Sequence, residues 1–286
     1  MLPYRLDTVI LNSTSLSIND RTWSFYVFMN DEEDVLPDEC SVSFESPGYR
    51  FQHRIMMSAK LGLEKLVKEY LRKGTCTSVL KVWTIPDGIP PNLTMIVQDF
   101  VLEYANREVY HSILPYVENR LQLNKIRFLV NNETCQLLDD PAVKNAVFLD
   151  LQFPYHNPVD TNDLLLRLCT REIYMIHIAF PIEKVYALAK HWISSQRPIG
   201  TKFTLTIEEY LYVLDVMEYV QARENQAIPS KVIALGSHYF AHCVTIPISE
   251  TSELVMFGGK MREVWKPLEW TFRMEVMASG ATVPNK

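Results

Sequence analysis

Glycine is scarce in this chain, with nine in 286 residues, about half the usual share of roughly 7%. Little material is left for the Gly-rich loops that cradle phosphates, and no GxGxxG, GxxxxGK[ST] or GxSxG occurs, which excludes those nucleotide loops and the hydrolase nucleophile elbow. Cysteine is sparse and odd in number. Cys40, Cys76, Cys135, Cys169 and Cys243 are scattered, with no CxxC, and read as reduced thiols that mostly fill core. No stretch reaches the ~18 uncharged residues of a membrane span, and Arg5 and Asp7 break the start where a signal peptide needs an apolar run. The expected setting is intracellular, cytoplasmic or nuclear, and the sequons at Asn12, Asn92 and Asn132 are then chance matches. Runs of Lys or Arg are missing too. With 28 basic against 34 acidic residues the net charge is −6, so neither nucleic acid nor an anionic membrane is expected as a partner.

What is present is a folded composition, 48% apolar and 22% charged. Residues 1–46 alternate as a β-meander: Leu6, Val9 and Leu11, then Leu16 and Ile18, an Asn19-Asp20 turn, and Trp23 to Phe28. The acidic stretch Asp31 to Asp34 reads as a solvated loop. Leu63, Leu66, Val67, Tyr70 and Leu71 form one helical face that Gly74 ends, and Val79 to Ile85 reads as a strand. Over residues 60–207 the chain then repeats. The template L-x-x-L-x-L fits Val97/Phe100/Leu102, Leu123/Ile126/Phe128, Ala146/Leu149/Leu151, Ile173/Ile176/Ile178 and Gly200/Phe203/Leu205. The steps lie within the 20 to 29 residues of a leucine-rich repeat, in which each unit is a strand and a returning helix. Only Asn131 fills the Asn-ladder position; Ala105, Pro154, Pro181 and Glu208 hold it elsewhere. The expected fold is α/β: a degenerate leucine-rich-repeat-like β-α stack with a parallel sheet in chain order and helices on one side, flanked by the meander and by C-terminal antiparallel strands. The C-terminal part, 208–278, holds a helix from Ile207 to about Val220, strands at 244–248, 254–257 and 270–276, and a Gly258-Gly259 turn. These strands are expected to cap the stack, and 279–286 is a tail.

Chemistry-bearing patterns are few. His238 and His242, with Cys243 adjacent, have helical metal-ligand spacing, but position 239 is Tyr239 where HExxH needs Glu, and the stretch runs into a strand. Ser78-Val79-Leu80-Lys81 spells S-x-x-K on or beside a strand, whereas that nucleophile belongs at a helix start. His53, His111, His156, His177 and His191 lack partners at catalytic spacing. Trp23, Phe25, Tyr26 and Phe28 read as core rather than as a base-stacking platform. No catalytic residue, metal or cofactor is expected. The strand residues that the template leaves unburied form two stripes: Val101, Arg127, Asp150, His177 and Thr204, and Asp99, Lys125, Phe148, Met175 and Lys202. Their mixed charge suits a protein partner. A small α/β enzyme, hydrolase-like but without a recognisable motif, is the alternative.

The segment from Ala189 to Phe203 carries Trp192, Arg197, Ile199, Gly200, Thr201 and Phe203. It resembles the W-I-x-x-x-R-x-I-G-T-x-F signature of a nematode family of F-box-associated proteins. Leu2 to Leu6, Lys65 to Leu71, Ile246-Pro247-Ile248 and Trp270-x-Phe272-x-Met274-x-Val276 are similar to further parts of that family. The resemblance implies a non-catalytic substrate-recognition module linked to a ubiquitin ligase, with an unknown client protein as partner. In that family an F-box-like helical segment precedes the equivalent of Leu2-Pro3 and docks on the ligase adaptor. The 286-residue chain is therefore expected not to bind the adaptor by itself, contact coming from a partner chain or a longer isoform. A pull-down with purified adaptor checks this: no retention is expected, and stoichiometric capture would contradict it.

Overall fold

The structure, a computed structural model, describes residues 5–27, 39–86, 88–104, 106–153, 164–176, 180–232, 239–260 and 270–284. Its elements fall into two compact units, residues 1–129 with 141–146, and residues 130–140 with 147–286. The class is mixed α/β, with parallel and antiparallel strand pairs in each unit.

In the first unit, β1 (Arg5–Asn12), β2 (Ser15–Ile18), β3 (Arg21–Tyr26), β4 (Cys40–Ser46) and β5 (Tyr49–Ile55) make an antiparallel meander. Asn19 sits at φ 55° in the β2–β3 turn. Its side-chain oxygen accepts the backbone N–H groups of Asp7 and Thr8 at 2.9 and 3.2 Å, so the turn is tied to β1 in the left-handed conformation that Asn tolerates. Helix α1 (Ala59–Tyr70) begins at Ser58, whose hydroxyl accepts from Leu61 N–H, and buries Leu63 and Val67 as the spacing requires. Gly62 is dictated by packing, since a Cβ there would lie 2.5 Å from the Phe25 ring. After Gly74 come β6 (Thr75–Val82), β7 (Met95–Leu102), α2 (Arg107–Ile113) and β8 (Lys125–Leu129), with α3 (Pro141–Asn145) completing the unit. The strand order is β5-β4-β3-β2-β1-β6-β7-β8, and β1, β6, β7 and β8 are mutually parallel. Val9, Leu11, Leu80, Val82, Phe100, Leu102, Ile126 and Phe128 are buried on one face, where Tyr110 of α2 meets Phe100 edge-on at 5.9 Å and α1 covers β2, β3 and β4.

The second unit contains β9 (Phe148–Gln152), α4 (Leu164–Arg167), β10 (Glu172–Ile176), α5 (Ile182–Ser194), β11 (Lys202–Ile207), α6 (Leu211–Gln221), β12 (Ile228–Val232), β13 (Tyr239–Pro247), β14 (Ser252–Lys260), β15 (Trp270–Ala278) and β16 (Thr282–Pro284). Their order is β9-β10-β11-β15-β14-β13-β12-β16. The first three are parallel and in chain order; β15 then pairs antiparallel with β11, the last repeat strand. Gly258 and Gly259 make no turn. They lie inside β14, because a Cβ on Gly258 would come within 2.6 Å of Val213 on α6; the glycine permits close helix-to-sheet approach. A second correction concerns β10. Leu149, Ile173 and Phe203 are cross-strand partners, as are Leu151, Met175 and Leu205. The buried pair in this repeat is thus Ile173 and Met175, while Ile176 is only half-buried and Ile178 is outside the described residues.

The α5–β11 junction shows what the Trp192 to Phe203 signature builds. Val185, Leu188, Ala189 and Trp192 are buried on α5, and Trp192 is 0% exposed. Gln196 at φ 49° ends the helix, Arg197 donates from its guanidinium to the Leu168 carbonyl, and Thr201 donates its hydroxyl to Pro198 O at 2.7 Å. Gly200, at φ 86°, donates its N–H to Val276 O on β15 at 2.8 Å. Phe203 then enters the core, whereas Ile199 is exposed. Among the described residues no helix is long and apolar enough to cross a membrane. Trp192→Ala is expected to cost about 3–5 kcal/mol, read as a lower urea midpoint; an unchanged midpoint would contradict this packing.

Candidate functional site

Because side chains alternate across a strand, the residues facing away from the helices are set by register. In the first unit two rows cross the parallel strands: Thr8, Val79, Asp99 and Lys125, and Ile10, Lys81, Val101 and Arg127. Asn124 donates to Asp99 at 3.1 Å, and the Lys81 ammonium lies 3.9 Å from Glu103. Most of these side chains are half-buried, and Val101 is buried. The expected residues Asp99, Val101, Lys125 and Arg127 therefore share one face, joined by Val79 and Lys81, which the template left out because β6 precedes its first repeat.

In the second unit, one row runs Phe148, Glu172, Lys202, Glu275, and the next runs Asp150, Tyr174, Thr204, Arg273. Phe148, Asp150, Lys202 and Thr204 are on the face where the stripes placed them, but Asp150 and Thr204 are buried, at 5% and 7% exposure, against the expectation of unburied residues. Met175 is not on that face: it faces the helices, 0% exposed, because the apolar Ile173-Tyr174-Met175-Ile176 run hides which alternate set is core. Glu172 and Tyr174 occupy the outward positions instead. His177 lies outside the described residues. Arg273 and Glu275 were legible as the charged alternates of Trp270-x-Phe272-x-Met274-x-Val276, but only once β15 is known to join β11.

The charges are arranged in an alternating ladder. Lys202 Nζ lies 3.9 Å from Glu275 Oε1, between Glu275 and Glu172 in the row. Burial pushes the Glu275 carboxyl above its ordinary range; Lys202 and Arg273 oppose that rise, and Glu172 adds to it. Tyr174 and Thr206 share a 2.8 Å hydroxyl hydrogen bond. Farther along the same face, Val232, Cys243, Val255 and Phe257 form an apolar cluster. Burial pushes the Cys243 thiol up to about 11, with Glu253 adding and the Thr245 hydroxyl opposing, so it is an inert core thiol.

The remaining chemical candidates separate. Ser78 and Lys81 lie three apart on β6 and so point to opposite faces. His242 and Cys243 lie on β13, which is a strand rather than a helix, and His238 is outside the described residues. No group of three His, Cys, Asp or Glu able to hold a metal occurs among the described residues. Of the aromatic run, Phe25 is core, Trp23 half-buried and Tyr26 exposed, with Phe28 outside the described residues.

Comparison with known proteins covers part of these elements, and β1, β13 and β15 lie outside the match. The family description of a domain of unknown function, DUF3557, matches residues 58–209, more than half of the chain, running from the cap of α1 past the end of β11. No curated protein matches the chain.

The Glu275 carboxyl holds its proton more tightly folded than unfolded. Its ionisation therefore disfavours the fold, and stability falls as pH rises from the unfolded value through the folded one. We expect Glu275→Gln to flatten this decline, read from urea midpoints at about pH 4 and about pH 7. A wild-type-to-variant difference that is the same at both pH values would contradict the burial of this carboxyl.

Proposed function

Since the chain belongs to the DUF3557 family, we propose that this domain is a non-catalytic protein-binding module in which the charged rows on the sheet faces opposite the described helices hold a client. The observation that carries the reading is the ladder Glu172–Lys202–Glu275 beside Tyr174–Thr204–Arg273. It is a rigid strand-borne face of alternating charge, half withdrawn from water, with apolar Phe148 and Ile176 at its margin. Charges held on strands are fixed in position, so they select a partner of matching pattern more than they add raw affinity. The rows of Asp99, Lys125, Val101 and Arg127 offer the same chemistry on the first unit.

The parallel strands in chain order support a finer reading as a degenerate leucine-rich-repeat-like domain. The signature from Trp192 to Phe203 supports placing it with F-box-associated substrate receptors. In this reading the protein is intracellular, the client is what the ligase modifies, and the adaptor is reached only indirectly or by a longer isoform. One observation favours a second reading, a small α/β hydrolase-like enzyme. A half-buried carboxyl with a raised pKa beside Lys202 and Arg273 is the kind of group active sites use.

Proximity labelling in cells with the wild-type chain and with Lys202→Glu separates the readings. A module gives one reproducible client or ligase components with the wild type and loses them with the variant. Labelling that contains neither, or that survives Lys202→Glu unchanged, would overturn the module reading.

A further inference from the structure

Residues 49–73 carry seven Lys or Arg against two Glu, a net +5 in a chain whose net charge is −6. The basic side chains are spread through the sequence, so no run announces them. The fold brings four of them to one edge of the first unit: Arg50 and Arg54 lie on β5, and Lys65 and Lys68 of α1 line an opening that Ile55 of β5 also borders. Arg50, Lys65 and Lys73 form no ion pair with a described residue.

Three features coincide at that edge. First, β5 ends the strand order, and no described strand pairs with its outer side. Pro47 and Gly48 form a two-residue turn that makes Ser46 and Tyr49 the closing pair. The backbone groups of Tyr49, Phe51 and His53 are then directed to β4, and those of Arg50, Gln52 and Arg54 outward. Second, α1 packs mainly on β2, β3 and β4. An aromatic strip is left beside the helix: Phe44 and Phe51 at 5.2 Å, Tyr49 and Phe51 at 5.8 Å, and His53 against Phe51 at 5.2 Å. Third, an open cleft of about 570 Å³ lies between the helix flank and the sheet. Phe25, Ile55, Met57 and Leu66 give it an apolar floor; Lys65, Lys68 and Glu69 stand at its wall, Lys68 paired with Glu64, so Lys65 is the cation it presents.

We propose that this edge binds an extended segment of a partner protein in which acidic and apolar residues alternate, added to β5 as a further strand. An added strand places alternate side chains on opposite faces. One set meets the aromatic strip and enters the cleft; the other meets Arg50 and Arg54. The main chain pairs with the outward groups of Arg50, Gln52 and Arg54. The cleft and the aromatic strip lie on the helix-bearing face, while Arg50 shares the far row of Arg127 through Glu45, Thr22, Ser17, Ile10, Lys81 and Val101. The edge main chain and the cleft belong to neither sheet-face row, so the proposal goes beyond the sheet-face reading, and Gln52→Pro tests it separately.

The test uses the full chain and a fluorescent peptide, Glu-Leu-Glu-Phe-Glu-Leu-Glu. Its controls are the same composition with all Glu first, and phosphatidylcholine vesicles with about one-third phosphatidylserine. Binding of the alternating peptide is expected, weaker by about tenfold or more in Arg50→Glu/Lys65→Glu. Gln52→Pro, which removes an outward N–H at an edge position where proline is tolerated, should weaken it similarly. If one variant loses its fold by circular dichroism, the other decides. No binding by the wild type, equal binding of the blocked peptide, vesicle binding that competes with the peptide, or unchanged affinity in a folded variant would each overturn the proposal.

Discussion

Everything in each unit depends on the register of its parallel strands. A strand presents alternate side chains to opposite faces, and one residue of slip would exchange a core of Leu, Ile and Phe for a row of charges. In the second unit Leu149, Ile173 and Phe203 align, and that alignment alone places Glu172, Lys202 and Glu275 beside one another on the other face. The antiparallel addition of β15 to β11 extends both sets, with Phe203 opposite Met274 on the core face and Lys202 opposite Glu275 on the charged face. Gly200 helps hold this register, since its positive φ lets its N–H reach Val276 O across the β11–β15 seam.

The two faces differ in physical character. The helix-bearing face is apolar and buried, with Trp192 and Phe203 fully covered. The opposite face of the second unit holds ionisable groups in partial burial, where removing a carboxylate from water costs more than Lys202 and Arg273 recover for Glu275. A stable fold does not need such a ladder, since buried or half-buried ion pairs contribute little net stability. Under the proposed reading, specific recognition gives it a use, because fixed alternating charges penalise a mismatched partner more than they reward the right one.

Much of this was legible in the residues. The i, i+3, i+4, i+7 spacing of α1 and the apolar stripe of α5 are strong helical periods, and both helices appear where that spacing puts them. Ile126 and Phe203 stand out as core because polar residues flank both sides, and Phe100 and Leu149 because each has one charged neighbour. The Ile173 to Ile176 run was ambiguous for the converse reason: consecutive apolar residues carry no period. Gly258-Gly259 resembled a turn because sequence shows a missing Cβ without showing Val213 above it. β5 was missed because Tyr-Arg-Phe-Gln-His-Arg-Ile alternates aromatic with basic residues, and such an edge strand lacks a fully buried side. The half-buried cluster of Tyr174, Arg273 and Glu275 joins strands about 100 residues apart, a pairing that only the fold supplies.

The most direct measurement of the central claim is site-specific photocrosslinking in cells, with p-benzoylphenylalanine at Phe148 on the charged face and at Leu214, a partly exposed position on α6. A client held by the sheet face gives one discrete adduct from the Phe148 probe and none from Leu214. A discrete adduct from Leu214 with none from Phe148 would show that recognition belongs to the helices and that the charged ladder serves the fold alone.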